Sequence, residues 1–264
     1  MPTRLPTYFI SHGGGPWPWL PEMRRGMVLL EKSLAAMSDE IGETPKAILM
    51  ISGHWEEGDF AVMANPNPPM VYDYGGFPAH TYQIKYASPG APQVAARVEQ
   101  LLKAAGLPTH LDHTRGYDHG VFAPMQVMYP AANVPLLQVA IQHSYDPAAH
   151  IALGRALAPL RDEGVLIVGS GLSFHNMRMF GPAGKAPSEL FDKWLNDAMM
   201  SAPKKREEKL LNWEAAPAAR LCHPREDHLI PLMAAVGAAE NEKAKRVYHD
   251  LDAYGVTASS YRFG

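Results

Sequence analysis

The chain has 264 residues and only one cysteine, Cys222. A disulfide framework is therefore excluded, as are iron–sulfur clusters and thiolate zinc sites, each of which needs several cysteines. A metal held by this chain must be held by histidine and carboxylate. Basic excess is missing too: 24 Lys and Arg face 27 Asp and Glu, for a formal net charge of -3. With no cationic surplus to neutralise phosphates, nucleic acid is not an expected partner. The longest basic run, Lys204-Lys205-Arg206, is answered at once by Glu207-Glu208 and reads as a solvated face. No apolar run approaches the roughly 18 residues of a membrane span. The N-terminus lacks the apolar core of a signal peptide. The expectation is a cytoplasmic protein with no membrane partner. Internal repeats and low-complexity stretches are absent as well.

What is present is a globular composition, 47% hydrophobic and 19% charged, with 12 histidines. At roughly 100–200 residues per domain the length allows one large domain or two small ones. No boundary is clean enough to divide the chain, so a single domain over residues 1–264 is expected. Short apolar runs alternate with helical periodicity. Thr7–Ser11, Ala47–Ser52, Pro135–Ile141 and Val165–Gly169 read as strands, with a last strand at Ala258–Phe263. Met23, Met27, Leu30, Leu34 and Met37 mark one helix. Val94 to Leu102, Leu153 to Leu160, Leu190 to Leu195 and Asp227 to Ala239 mark others. Such alternation predicts an α/β layer fold with a mostly parallel sheet. Residues 60–86, rich in Pro, Gly and aromatics, read as an irregular excursion over one end of that sheet.

Ligands of open α/β sheets bind beyond the carboxyl ends of the strands. Three histidines fall there. The first strand runs into Ser11-His12-Gly13-Gly14-Gly15, the second into Ser52-Gly53-His54-Trp55, and the fourth into Gly169-Ser170-Gly171, followed closely by His175-Asn176. If the strands are parallel, all three share one rim. Imidazole is both the commonest neutral metal ligand and the usual acid–base group near pH 7. Two further clusters add His113 with His119, and His223 with His228. Glu226 and Asp227 read as caps and dipole complements of the helix expected to begin there. In a helix, adjacent side chains diverge by about 100°, so only one of Glu226, Asp227 and His228 would face a given site. His143 follows the third strand, which leaves an approach to the rim open without arguing for one. His80, His110, His150, His223 and His249 read as surface or hydrogen-bonded residues. Trp17 and Trp19 lie in a Pro-rich turn beside His12. The zinc-protease helix motif, the P-loop and the nucleophile elbow are all absent. Phe174 stands where a dinucleotide fingerprint beginning at Gly169 would need its third glycine.

Six segments in order resemble the class III extradiol ring-cleavage dioxygenases of the 4,5-DOPA extradiol type. They are Ser11-His12-Gly13, Ser52-Gly53-His54-Trp55, Tyr72-Asp73-Tyr74-Gly75-Gly76-Phe77-Pro78, Tyr117-Asp118-His119-Gly120, Gly169-Ser170-Gly171 with His175-Asn176, and Glu226-Asp227-His228 with Pro231. The resemblance implies a single three-layer α/β/α domain with a mostly parallel, mixed central sheet. It implies one divalent metal on His12, His54 and His228, with Glu226 or Asp227 as a minor alternative for the third ligand. It implies His175 as an acid–base residue outside the ligand set and His119 in the pocket. Fe(II) is expected for activity, although three imidazoles hold Zn(II) at least as well. The expected reactants are a small aromatic diol and O2. Trp55, Tyr72, Tyr74 and Phe77 are candidates for an aromatic pocket wall. Two other readings use the same residues: a zinc-dependent hydrolase, and a non-enzymatic metal-binding or signalling protein. Pairing of copies into a homo-oligomer is left open by the sequence.

Overall fold

The segments Ala47–Ile51, Leu136–Ile141 and Val165–Val168 are apolar on both faces, which suits strands covered by helices on both sides. The computed structural model describes residues 4–239 and 241–264. Its strands are β1 (Thr7–Ser11), β2 (Ala47–Glu57), β3 (Phe60–Met63), β4 (Thr109–Asp112), β5 (Leu136–Gln142), β6 (Val165–Gly171), β7 (Ala244–Ala253) and β8 (Val256–Phe263). They form one sheet in the order β4-β3-β5-β2-β6-β1-β8-β7. The central four, β5, β2, β6 and β1, are mutually parallel. β8 runs antiparallel to β1, β7 antiparallel to β8, and β3 antiparallel to β5. The carboxyl ends of β1, β2 and β6 therefore share one rim.

The helices are α1 (Pro21–Arg25), α2 (Val28–Ile41), α3 (Pro92–Ala104), α4 (His119–Met128), α5 (Pro147–Leu157), α6 (Pro182–Met199), α7 (Pro203–Leu211), α8 (Ala219–Cys222) and α9 (Ile230–Ala239). Alternation along β6 separates the two helical layers. Ser170 points to α4 and donates to the Gly120 carbonyl. Gly169 and Gly171 point the other way, to α9 and the turn before it. A Cβ at Gly169 would stand 2.2 Å from the Pro231 carbonyl oxygen, and one at Gly171 would stand 2.0 Å from that of His228. Only glycine lets this backbone lie directly on the strand. Every residue of α9 is buried, as expected for a helix that is apolar all round. The result is the three-layer α/β/α domain with a mixed sheet.

Several elements differ from expectation. Phe60–Met63 is a strand of the sheet, so the irregular path begins only after Met63. Its partner β4 is four residues long and half-exposed, too short for a readable period. β7 is a polar edge strand. The helix expected from Met23 to Met37 breaks at Gly26 into α1 and α2. α9 begins at Ile230, three residues later than expected, and Asp227–Leu229 form a turn. Arg206, read as solvated, is buried and donates to the carbonyls of Met199 and Glu242. Among the described residues no helix is long and apolar enough to cross a membrane.

Candidate metal centre

His12 follows β1 directly. Its ring Nδ1 lies 2.7 Å from the Gly13 carbonyl, where an N–H would donate. Gly13 holds φ +79, and a Cβ there would collide with Trp17. The buried Trp17 indole donates to the His12 carbonyl at 2.8 Å. His54 lies within β2, which extends to Glu57 rather than ending at Ser52. The register of β2 on β5 shifts between Ile51 and Glu56. An irregularity of this kind re-aims side chains at a sheet rim. His119 is the first residue of α4. Gly120 behind it has no room for a side chain: a Cβ would meet Ser52 Oγ at 2.6 Å and His54 Cδ2 at 2.8 Å. His175 lies in the loop after β6, tied by its backbone N–H to the Cys222 carbonyl. His228 sits in the turn before α9, whose carbonyl accepts from Leu172 N–H.

The fold brings these five imidazoles together. Ring centroids of His12 lie 4.9 Å from His54 and 5.2 Å from both His119 and His228. His54 is 4.0 Å from His119 and 4.6 Å from His228. His175 stacks on His228 at 3.5 Å. Two carboxylates order the rings from behind. Asp73 Oδ1 is 2.9 Å from His119 Nδ1, and Asp73 Oδ2 is 3.1 Å from His54 Nδ1. Asp227 Oδ2 is 3.1 Å from His228 Nδ1, while Oδ1 is 3.6 Å from His175 Nδ1. Where Nδ1 is hydrogen-bonded to an oxygen, as in His12 and His119, the Nε2 lone pair is left for the interior of the cluster.

The donor chemistry fits a divalent cation. His54 Nε2 and His228 Nε2 are 3.0 Å apart. His12 Nε2 is buried with no hydrogen-bond partner, a state that native proteins seldom leave unexplained. Two convergent donor sets occur among the described residues: His12, His54 and His119, and His175, Asp227 and His228. Burial drives His12 and His54 well below the ordinary imidazole value, and neighbouring imidazoles push the same way. Burial lowers His228 to about 4 against the opposing pull of Asp227. These three are neutral near pH 7, the state a metal ligand requires. Burial raises the Asp73 and Asp227 carboxyls, but their imidazole contacts outweigh it and hold both below the ordinary range.

A further layer sits beneath. Asp118, fully buried, accepts from Ser52 Oγ and from Arg115 Nη2, each at 2.8 Å. Burial, with the Asp73 charge nearby, raises the Asp118 carboxyl. Arg115 also donates to the His54 carbonyl and lies over the Trp55 ring. This corrects the placement of Trp55: neighbours along β2 alternate faces, so His54 faces the cluster and Trp55 packs beneath Arg115. Tyr72 is likewise outside the cavity wall, donating to the Ile84 carbonyl. Tyr74 and Phe77 do line the cavity. His143 is 61% exposed and joins only Glu56, not the cluster. His150 and His223 are buried and hydrogen-bonded. Glu226 pairs with Arg220 and stays outside. Asp73 and Asp118 had no role assigned from the sequence, and Asp227, read there as a cap or minor third ligand, instead stands behind His228. All three stood inside quoted motifs: Asp118 and Asp227 each precede a histidine of the cluster, while Asp73 has only aromatic neighbours.

A sheet rim carrying convergent, carboxylate-oriented imidazoles and no thiolate defines a histidine-based metal-site class. Residues 6–264 match the family described as the catalytic LigB subunit of aromatic ring-opening dioxygenase. The chain is 39% identical to a 4,5-DOPA dioxygenase extradiol of Beta vulgaris, over 97% of this chain and 96% of that one. It is 33% identical to a protein of the same name from Escherichia coli (strain K12), over 91% and 88%. The crystal structure of an uncharacterized Escherichia coli K12 protein superposes with a TM-score of 0.81 at 27% identity, covering 99% of this chain and 100% of that one. The chain belongs to the LigB family of aromatic ring-opening dioxygenases.

Proposed function

We propose that this protein opens the ring of a catechol-type substrate with O2, using one divalent metal on His12, His54 and His228, and that Fe(II) is the active metal. The observation that carries the reading is the orphaned, buried His12 Nε2 beside the 3.0 Å His54–His228 pair. Names of the relatives point to the same chemistry, extradiol cleavage of a dihydroxyphenyl ring. Held by His12, His54 and His228, Fe(II) would supply the redox chemistry that lets a diol react with O2. The remaining work falls to the chain. His175, with the Asp227 carboxylate 3.6 Å from Nδ1, takes a proton from a substrate hydroxyl. His119, held by Asp73, presents Nε2 to the same space and positions the ring. Tyr74 and Phe77 form an aromatic wall and exclude water. A hydrolase of the metalloprotease kind would use a carboxylate beside the metal as base, and Asp73 and Asp118 are engaged with imidazole and guanidinium. The buried, unpaired Cys222 suits a reducing compartment, and the cytoplasm is the proposed location.

The test pairs metal analysis with O2 uptake on anaerobically Fe(II)-loaded protein. Wild type is expected to consume O2 and yield a yellow ring-fission product. His12→Ala is expected to lose metal. His175→Ala is expected to keep metal and lose about 100-fold or more in rate. Ester or amide hydrolysis with zinc, and no O2 consumption with iron, would overturn the proposal.

A further inference from the structure

The cavity over the imidazole cluster measures about 530 Å³. A bare aromatic ring needs about 150 Å³, so most of this space is available to a ring substituent. The wall around that space is apolar. Met23, Met27 and Leu30 come from α1, α2 and their junction, Phe174 and Phe180 from the segment after β6, and Val256 from β8. Among the described residues no lysine or arginine lines the cavity. Asp73 is the one lining carboxylate, and both its oxygens are occupied by His54 and His119. Two tyrosine hydroxyls on this side already have partners: Tyr254 donates to the sulfur of the lining Met27 at 3.1 Å, and Tyr248 lies 3.5 Å from Asp250. Arg178 adjoins the rim residue Met177 but stands in solvent, outside the lining. A charged substituent would thus be desolvated with no counter-charge to meet it, whereas each methylene would gain from burial.

We infer that the preferred substrate is a catechol whose ring substituent is uncharged and apolar, seated between the α1–α2 methionines and Phe174, Phe180 and Val256. This rests on the dioxygenase reading and narrows it. It separates this chain from the amino-acid catechol in the names of its relatives, since that substrate carries both a carboxylate and an ammonium.

The experiment compares catechol, a propylcatechol substituted para to one hydroxyl, homoprotocatechuate, dopamine and DOPA. Steady-state kcat/KM is measured by O2 uptake on Fe(II)-loaded protein, and binding of each compound by anaerobic calorimetry. Propylcatechol is expected to exceed each charged compound by about tenfold or more in kcat/KM, as for other apolar pockets. Catechol should fall between them, and the calorimetric affinities should follow the same order. Met177→Arg, at a position 74% exposed and tolerant of a long side chain, should raise the homoprotocatechuate-to-propylcatechol ratio at least severalfold. Ring cleavage with a charged catechol equal to or better than propylcatechol overturns the inference and leaves the dioxygenase reading intact. An unchanged ratio in Met177→Arg places the substituent elsewhere and overturns the assigned seat. If no compound is cleaved, the dioxygenase reading fails, and the calorimetric order alone still decides between apolar and charged ligands.

Discussion

Asp73 orders two imidazoles with one carboxylate, accepting at one oxygen from His119 and lying at the other beside His54. Asp227 lies between His228 and His175 by charge proximity rather than hydrogen bonding, 3.1 Å from one Nδ1 and 3.6 Å from the other. The site is therefore two carboxylate-backed histidine pairs closed by His12, whose own Nδ1 faces a backbone carbonyl. Such backing fixes ring orientation and tautomer, and its loss commonly costs 10–100-fold in metal affinity. The geometry also poses a choice, because His119 and His228 both approach His12 at 5.2 Å. The proposed ligand set predicts that His228→Ala abolishes stoichiometric metal binding, while His119→Ala retains it and loses turnover. Metal content by atomic emission after dialysis checks this; the reverse pattern would move the metal to His12, His54 and His119. At this scale much of the cluster was legible in the sequence. His12 and His54 lay at apolar strand ends, and the motifs around His119, His175 and His228 completed the set. Asp227 was legible only as a cap or minor ligand beside His228, and Asp73 was not legible, because its role is made by contacts across the fold. Asp73 meets His119 at a sequence separation of 46, for which no local spacing rule exists.

The element that most directly sets the site is the turn before α9. Acidic residues preceding an apolar run ordinarily signal a helix start, which is why a helix from Asp227 was the natural expectation. The backbone does otherwise: Leu172 donates to the His228 carbonyl, and the turn lies flat on the end of β6. That frees Asp227 and His228 to face the same side, which a helical step of about 100° would forbid. The arrangement depends on Gly171, where a Cβ would stand 2.0 Å from the His228 carbonyl oxygen and 3.2 Å from Phe9. Gly171→Ala is expected to displace the turn, destabilise the protein by about 1–3 kcal/mol, and weaken metal binding along with it. Thermal melts and metal titration of this variant check both effects. A variant with unchanged metal affinity would show that the turn does not set the site. The apolar central strands β1, β2, β5 and β6 were readable because burial on both faces leaves continuous apolar runs. β4 and β7 were not, since short or edge strands carry polar residues on their open sides.

Across the whole molecule, burial of neutral histidine is a recurring theme. His12, His54 and His228 are joined by His150 and His223, which lie away from the proposed ligand set. Burial lowers His150 to about 4 and His223 to about 3, against an ordinary value of 6.5. His150 receives the Gln142 N–H on Nε2 while Nδ1 faces the Asp146 carbonyl, so its neutral form is the one the fold uses. The sign of the pH effect follows. Below about 6.5 the unfolded chain takes protons that the folded chain refuses, so stability must fall as pH falls. Each such histidine contributes about 1.4 kcal/mol per pH unit, from the ordinary value down to its folded one. The metal-free protein is therefore expected to be insensitive to pH near 7 and to lose stability steeply between about 6.5 and 4. Urea unfolding across that range checks the slope. His150→Gln should give a shallower slope by one proton, and a wild-type slope of zero would mean that these imidazoles are not held neutral by burial. The same refusal of protons keeps His12, His54 and His228 unprotonated at neutral pH. A fold of this kind thus exchanges acid stability for a metal-ready site.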